Sequence, residues 1–208
     1  MIKEAKKYSK RWIADYRRQQ LDQIQELRDQ MVSALRIYKP KKILVVGEGV
    51  RWKATWIGSC IMRGELPKSL KLVTLLDHTY ESNSFLHRAD LLESSGFFIM
   101  PLIGDATDLP FPDKYFDLIA APLMIDDCEN HISLISELYR CTRKNGIVMV
   151  SGHGIDLTGE LANVEGLIGS THCNQITVSQ FDRLLKKLKV KILTKWSNSH
   201  SWLRIFKK

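Results

Sequence analysis

Three stretches of this chain place glycines and carboxylates where a ligand can be held. Leu72-Val73-Thr74-Leu75-Leu76 is an apolar run that ends in Asp77, with His78 beyond it. A carboxylate at the end of a buried strand can accept hydrogen bonds from two neighbouring hydroxyls. Lys42 to Val46 is a second such run and opens into Gly47-Glu48-Gly49-Val50-Arg51. Glycines let the backbone turn tightly and approach a ligand. Amide groups at the start of a following helix suit an anionic end, and the Arg51 guanidinium can pair with a carboxylate. The third stretch, Ile103 to Ile119, is an acidic, proline-braced loop with no helical or strand period until it turns apolar at Phe116.

Other residue types that do chemistry stand alone. Asp126 and Asp127 can bind a cationic substrate or act as a base, but two acids entering a helix more often cap it. His153 and His172 can move a proton, yet a lone histidine is more often structural. Cys60, Cys128, Cys141 and Cys173 form no C-x-x-C. Reduced, buried thiols are therefore expected, with neither disulfides nor a metal site. Cys173 neighbours His172, but adjacent residues of a strand point to opposite faces.

These groups need a scaffold, and the apolar pattern supplies one. Ser9 to Ile37 reads as one long amphipathic helix closed by Pro40, with Tyr8, Trp12 and Tyr16 on one face. Those rings either pack on the core or form a lid over a ligand. Buried strands are expected at Lys42–Gly47, Leu70–Leu76, Phe97–Leu102, Phe116–Pro122 and Ile147–Val150. Helices are expected at Ala54–Arg63, Ser82–Ser95, His131–Thr142 and Ser179–Leu188, with a turn at Lys144-Asn145-Gly146. Two further strands, Lys189–Trp196 and Trp202–Phe206, are joined by a polar turn and predict an antiparallel hairpin at one edge. Strands alternating with helices predict an α/β three-layer sandwich around a mostly parallel, seven-stranded sheet.

At 208 residues the chain is expected to form one domain. Residues 1–40 would be a helical lid, 41–152 a ligand-binding core, and 153–208 a substrate-facing segment with the hairpin. No apolar run is long enough to span a bilayer, and the start of the chain lacks a signal-peptide core. A cytoplasmic protein without a membrane partner is the expectation. The net charge of +8 is uneven: residues 1–42 carry twelve basic and five acidic side chains, residues 183–208 nine basic and none acidic, and the middle ten basic and eighteen acidic. Basic ends can meet an anionic partner such as RNA. Solvated faces are favoured here, because no aromatic-rich nucleic-acid motif accompanies the charge.

Gly104-Asp105-Ala106, then Leu109-Pro110-Phe111-Pro112-Asp113 and Phe116-Asp117-Leu118-Ile119, resembles the adenine-binding loop and fourth strand of class I, Rossmann-like S-adenosylmethionine (SAM)-dependent methyltransferases, of the small-molecule or ubiquinone-type subgroup. Glu137-Leu138-Tyr139-Arg140 through Gly146 is similar to a structural run of that family. The resemblance spans roughly Lys42 to Gly152. It departs at Val45, where the family usually has an acid, and at Arg51, where a third glycine is usual. It implies SAM as cofactor. Gly47, Glu48, Gly49 and Arg51 would cradle its methionine part. Asp77 with His78 would take the ribose, and Asp105 and Ala106 the adenine. Ala121 and Pro122 would leave room at the sulfonium. Asp126, His153 and His172 are the candidate bases. The acceptor would be a small molecule or peptide. The alternatives are a catalytically degenerate binding or regulatory protein of this fold, an RNA methyltransferase, and a dinucleotide-dependent oxidoreductase; the last lacks its third glycine.

Overall fold

The fold is described from a computed structural model over residues 25–47, 56–77, 96–153, 176–198 and 201–208. The first half of the expected N-terminal helix with Tyr8, Trp12 and Tyr16, the expected helix Ser82–Ser95, and Glu48, Gly49, Arg51, His78, His172 and Cys173 lie outside these residues.

Seven strands form one sheet: β1 (Lys42–Val46), β2 (Leu72–Asp77), β3 (Phe98–Ile103), β4 (Phe116–Ala121), β5 (Thr142–His153), β6 (Lys191–Ser197) and β7 (Ser201–Lys207). Their spatial order is β3-β2-β1-β4-β5-β7-β6. The β1–β2, β1–β4, β2–β3 and β4–β5 pairs are parallel. β7 runs antiparallel to both β5 and β6. The expected hairpin is therefore present, and its second strand inserts between β5 and β6.

Side-chain alternation assigns each face its helices. Ile43 and Val45 of β1, with Leu118 and Ala120 of β4, pack on α1 (residues 25–38) through Leu27, Met31 and Leu35 and on α2 (Trp56–Met62) through Ile57. Leu44 and Val46, with Ile119 and Ala121, meet α3 (His131–Cys141) through Leu134 and Leu138 and α4 (Val178–Lys187) through Phe181 and Leu185. The helices end where local chemistry says they should. Lys39 takes φ 45 and its amide donates to the Leu35 carbonyl before Pro40, a left-handed stop. Thr177 and Gln180 form a reciprocal capping box on α4.

One expectation is corrected. Lys144-Asn145-Gly146 does not separate a helix from a short strand. β5 already begins at Thr142, and the three residues form an irregularity within it. Asn145 has φ 63, as a turn residue would, yet its amide donates to the Lys208 carbonyl and the Lys208 amide donates to Gly146. The ladder to the chain's last strand holds the turn inside the sheet.

The two ends of the sheet differ in charge. Lys39 and Lys41 lead into β1, Lys68 and Lys71 into β2, and Lys114 into β4, all exposed. Lys144 lies exposed in the β5 irregularity, and Lys186, Lys187, Lys189 and Lys191 mark the exposed passage from α4 into β6. At the opposite, carboxyl end lie Asp77, Asp105, Asp126 and Asp127. Among the described residues, no helix is long and apolar enough to cross a membrane.

Candidate active site

Parallel sheets offer ligands the crevice outside the carboxyl ends of their strands, where the strand order reverses. Here that point lies between β1 and β4, since β2 and β3 extend one way and β4 and β5 the other. Four of the expected groups converge there. Gly47 follows β1 with φ +78, a left-handed conformation that suits glycine. A Cβ on Gly47 would come within 2.6 Å of Met124 Cγ. Asp77 closes β2 and is 5% exposed. Asp105 is exposed in the loop after β3, and Ala106 beside it is buried. Ala121 is fully buried at the end of β4, and Pro122 is half-buried.

Backbone hydrogen bonds lock these strand ends in register. The Gly47 amide donates to the Leu76 carbonyl and the Gly104 amide to the Asp77 carbonyl, each at 2.9 Å. The first residues of the β1 and β3 loops are thus tied to the last residues of β2. A Cβ on Gly104 would stand 3.1 Å from Leu76 Cδ1, so this crossing is also close.

The Asp105 loop has its own bracing. Asp105 Oδ1 accepts from the Thr107 amide at 2.7 Å and from the Thr107 hydroxyl at 2.8 Å. That local turn orients the carboxylate. Further along, Arg140 of α3 donates to the carbonyls of Leu109 and Phe111 and pairs with Glu137 and Asp113. Glu137 in turn accepts from the Leu109 amide at 2.8 Å. The Arg140 hydrogen bond holds the Glu137 carboxyl below its ordinary range, and it does the same for Asp113. Those two carboxylates raise the Arg140 guanidinium. The Glu-Leu-x-Arg run is therefore the strut that fixes the proline-braced loop.

The expectation that Asp126 and Asp127 cap the following helix is corrected. Asn130 caps α3, its side chain accepting from the Ser133 amide at 3.0 Å. Asp126 and Asp127 lie in a separate 3-10 turn, Ile125–Asp127, and Asp126 is 1% exposed. This turn hangs from β4 through Leu123, whose φ is 53 and whose amide donates to Ser151 Oγ at 2.8 Å. Backbone strain of this kind gathers at ligand sites. His153 ends β5, its backbone opposite Ser201 of β7. Cys60, Cys128 and Cys141 are buried, and among the described residues none forms a disulfide. Among the described residues, no cluster of three metal-ligating side chains occurs.

Met124, Ser151 and Arg140 had no individual role in the sequence reading. Met124 reaches Gly47 across 77 positions of chain, a contact that no local pattern encodes.

A methyltransferase domain matches residues 57–150. The solved structures similar to this fold include a SAM-dependent methyltransferase from Aquifex aeolicus, with TM-score 0.58, 11% identity, and 80% of this chain and 81% of that one covered. Just under half of the chain thus matches a methyltransferase domain, and its fold is that of SAM-dependent methyltransferases. SAM is the cofactor that the domain match and these structural neighbours imply. A putative sarcosine dimethylglycine methyltransferase from Galdieria sulphuraria has TM-score 0.64 at 12% identity, covering 88% of this chain and 85% of that one. The [4+2]-cyclase SpnF has TM-score 0.65 at 14% identity, with 88% and 80% covered. Among curated proteins, a malonyl-[acyl-carrier protein] O-methyltransferase of Serratia marcescens is 30% identical over 74 residues. That match covers 35% of this chain and 29% of the relative.

The described residues fit the class I cofactor chemically. Glycines follow β1 and β3 where a Cβ would meet a neighbouring side chain, a buried carboxylate ends β2, and a second carboxylate with a neighbouring buried alanine opens the β3 loop.

Proposed function

We propose that this chain transfers a methyl group from SAM to a small-molecule or peptide acceptor. The observation that carries the reading is Asp77, a buried carboxylate at the switch point whose own carbonyl is bonded to the loop bearing Asp105. In this reading Asp77, with His78, accepts from the ribose hydroxyls. Asp105 accepts from the adenine amino group, and the Ala106 amide faces the ring. Gly47, Glu48, Gly49 and Arg51 receive the methionine end, where the Arg51 guanidinium suits a carboxylate. Ala121 and Pro122 leave space where the acceptor approaches, and Tyr8, Trp12 and Tyr16 cover it. SAM brings its methyl group already activated on a sulfonium. The protein's task is then to align the acceptor and exclude water.

The Serratia marcescens relative, by its name, methylates an oxygen of a malonyl group. A carboxylate acceptor is accordingly the first class to test here. It is ionised at neutral pH and needs no base. A neutral hydroxyl or amine acceptor would call on Asp126, His153 or His172.

Met124 favours a second reading, a degenerate binding protein of the same fold. Its side chain stands over Gly47, on ground that a ligand would share. Calorimetric titration with SAM and S-adenosylhomocysteine separates the two. Micromolar binding of both, followed by labelled methyl transfer to malonyl thioesters or other acceptors, is the expected result. No binding by well-folded protein would sink the methyltransferase reading.

A further inference from the structure

The amino end of the sheet, opposite the candidate site, is a continuous basic rim. Its continuity is visible in the backbone. The Phe98 amide donates to Lys71 and the Lys71 amide to Lys41, which joins the starts of β3, β2 and β1. The Lys41 amide reaches Asp117 of β4, and Asp117 pairs with Arg143 of β5. Asn145 and Lys208 exchange the β5 ladder with the end of β7, and Lys207 stands opposite Lys191 at the start of β6. One row thus crosses all seven strands.

Acidic neutralisation along this row is local. Among the described residues at this end, Glu65 pairs with Arg28, Asp113 with Arg140 and Asp117 with Arg143. These pairs engage Arg28, Arg140 and Arg143, while the exposed lysines that lead into β1, β2, β4 and β6, with the exposed Arg36 and Arg63, stay as surplus charge. The same end also exposes apolar side chains. Ile37 in the last turn of α1 is 68% exposed, Phe98 at the start of β3 is 81% exposed, and Leu188 after α4 is 37% exposed. Ile103 and Ile132 are similarly open at the carboxyl end, so it is the lysines around Ile37, Phe98 and Leu188 that set this end apart.

We propose that this rim docks the protein on an anionic lipid surface. Lysine is a compact, mobile point charge that suits a fluid layer of phosphate headgroups. Ile37, Phe98 and Leu188 would enter the headgroup boundary between the lysines. A nucleic-acid partner fits less well, because lysines outnumber the exposed arginines on this rim and two of the three exposed apolar groups are aliphatic and offer no stacking surface. No spanning helix is needed, so the absence of one among the described residues is compatible with peripheral contact. The geometry makes the rim a tether. With the amino end on the membrane, the carboxyl-end crevice faces away from it and remains open to acceptors from solution. The proposal does not depend on which reaction that crevice runs.

Sedimentation of the full chain with vesicles tests it. The protein is expected to sediment with phosphatidylcholine vesicles containing phosphatidylglycerol, to stay in solution with phosphatidylcholine alone, and to be released by added salt. The triple variant Lys41→Glu/Lys71→Glu/Lys191→Glu should bind the anionic vesicles at least about tenfold more weakly. Phe98→Ser should weaken binding about threefold, while Ile132→Ser, an exposed isoleucine at the opposite end, should leave it unchanged. Melting by circular dichroism checks that each variant is folded. Equal binding to neutral vesicles, a folded triple variant that binds like the parent, or equal losses from Phe98→Ser and Ile132→Ser would overturn the proposal. So would tighter binding to bulk tRNA than to anionic vesicles, which would assign the rim to nucleic acid.

Discussion

Asp77 carries much of the cofactor argument because it is a buried carboxylate at the carboxyl end of β2, beside the switch point. Its position follows from the sequence: an apolar run of strand length ending in a single acid can be read without a structure. Hydrogen bonds to charged groups contribute about 1.5–3 kcal/mol each. Asp77→Ala should therefore weaken SAM at least about tenfold by calorimetry while the variant still melts cooperatively. Unchanged affinity would remove Asp77 from the site. Gly47 offers a sharper test, since two causes are superimposed there. Its φ of +78 penalises any Cβ, and Met124 occupies the space that the Cβ would take. Gly47→Ala should lower stability by about 1–2 kcal/mol from the backbone alone, and further through the contact. Adding Met124→Ala to Gly47→Ala should recover the steric part and leave the conformational part, measured as non-additivity in urea melts. Full additivity would mean that Met124 simply moves aside. The glycine was legible in the sequence. Its partner was not, because Met124 and Gly47 meet only after β4 has docked against β1. Asn130 was missed for a different reason: two acids five and six residues into the loop after β4 look like caps, but the 3-10 turn ends the segment they occupy before α3 begins.

The loop that holds Asp105 shows how an element without periodicity becomes rigid. Its hydrogen bonds are supplied from outside by α3. Arg140 takes two of its carbonyls, and Glu137 takes the Leu109 amide. Arg140→Ala should cost about 2 kcal/mol, because it strips one partner from a half-buried cluster and leaves the others unpaired. It should also change the acid limb of the stability curve. Glu137 is held below its ordinary value of 4.5, foremost by the Arg140 hydrogen bond. A depressed carboxylate contributes stability above its unfolded value and loses it as pH falls through the folded one. The parent should therefore lose this contribution below about pH 4.5, and Arg140→Ala should show a flatter decline over the same interval. Parallel acid limbs in urea titrations would show that the strut does not act through Glu137. In sequence, this strut was readable only as a resemblance, since neither Glu137 nor Arg140 has a local reason to face a loop some thirty residues upstream. The β5 irregularity was misread from composition. Lys-Asn-Gly has the residues of a turn and Asn145 adopts the dihedral of one, yet the tie to Lys208 comes from the far end of the chain.

At the scale of the whole molecule, alternating apolar runs and helices predicted the layers, and the sheet order followed the expected architecture. What the pattern could not contain is the placement of β7 between β5 and β6, which depends on seven register pairs formed with a strand about fifty residues upstream. The likeness to the [4+2]-cyclase SpnF shows that this architecture hosts more than one chemistry, so the site must carry the functional argument. The thiols offer a probe of how far that site opens on its own. Cys60 and Cys141 are fully buried, Cys128 is 6% exposed, and burial pushes the Cys141 thiol up to about 11 and the Cys128 thiol upward as well. Both reach and thiolate fraction are therefore small at pH 8. In a Cys173→Ser background, Cys60 and Cys141 should label with a disulfide reagent only as the domain unfolds, with the midpoint seen by circular dichroism in urea. Cys128 packs in the same core cluster as Ala106 and Leu109, so it also reports on the loop that we assign to adenine. If that loop breathes locally, Cys128 should label faster than the other two. SAM should then slow it in proportion to one plus the ratio of its concentration to its dissociation constant. Labelling of Cys128 that is equally fast with and without saturating SAM would place the cofactor somewhere other than beside this loop.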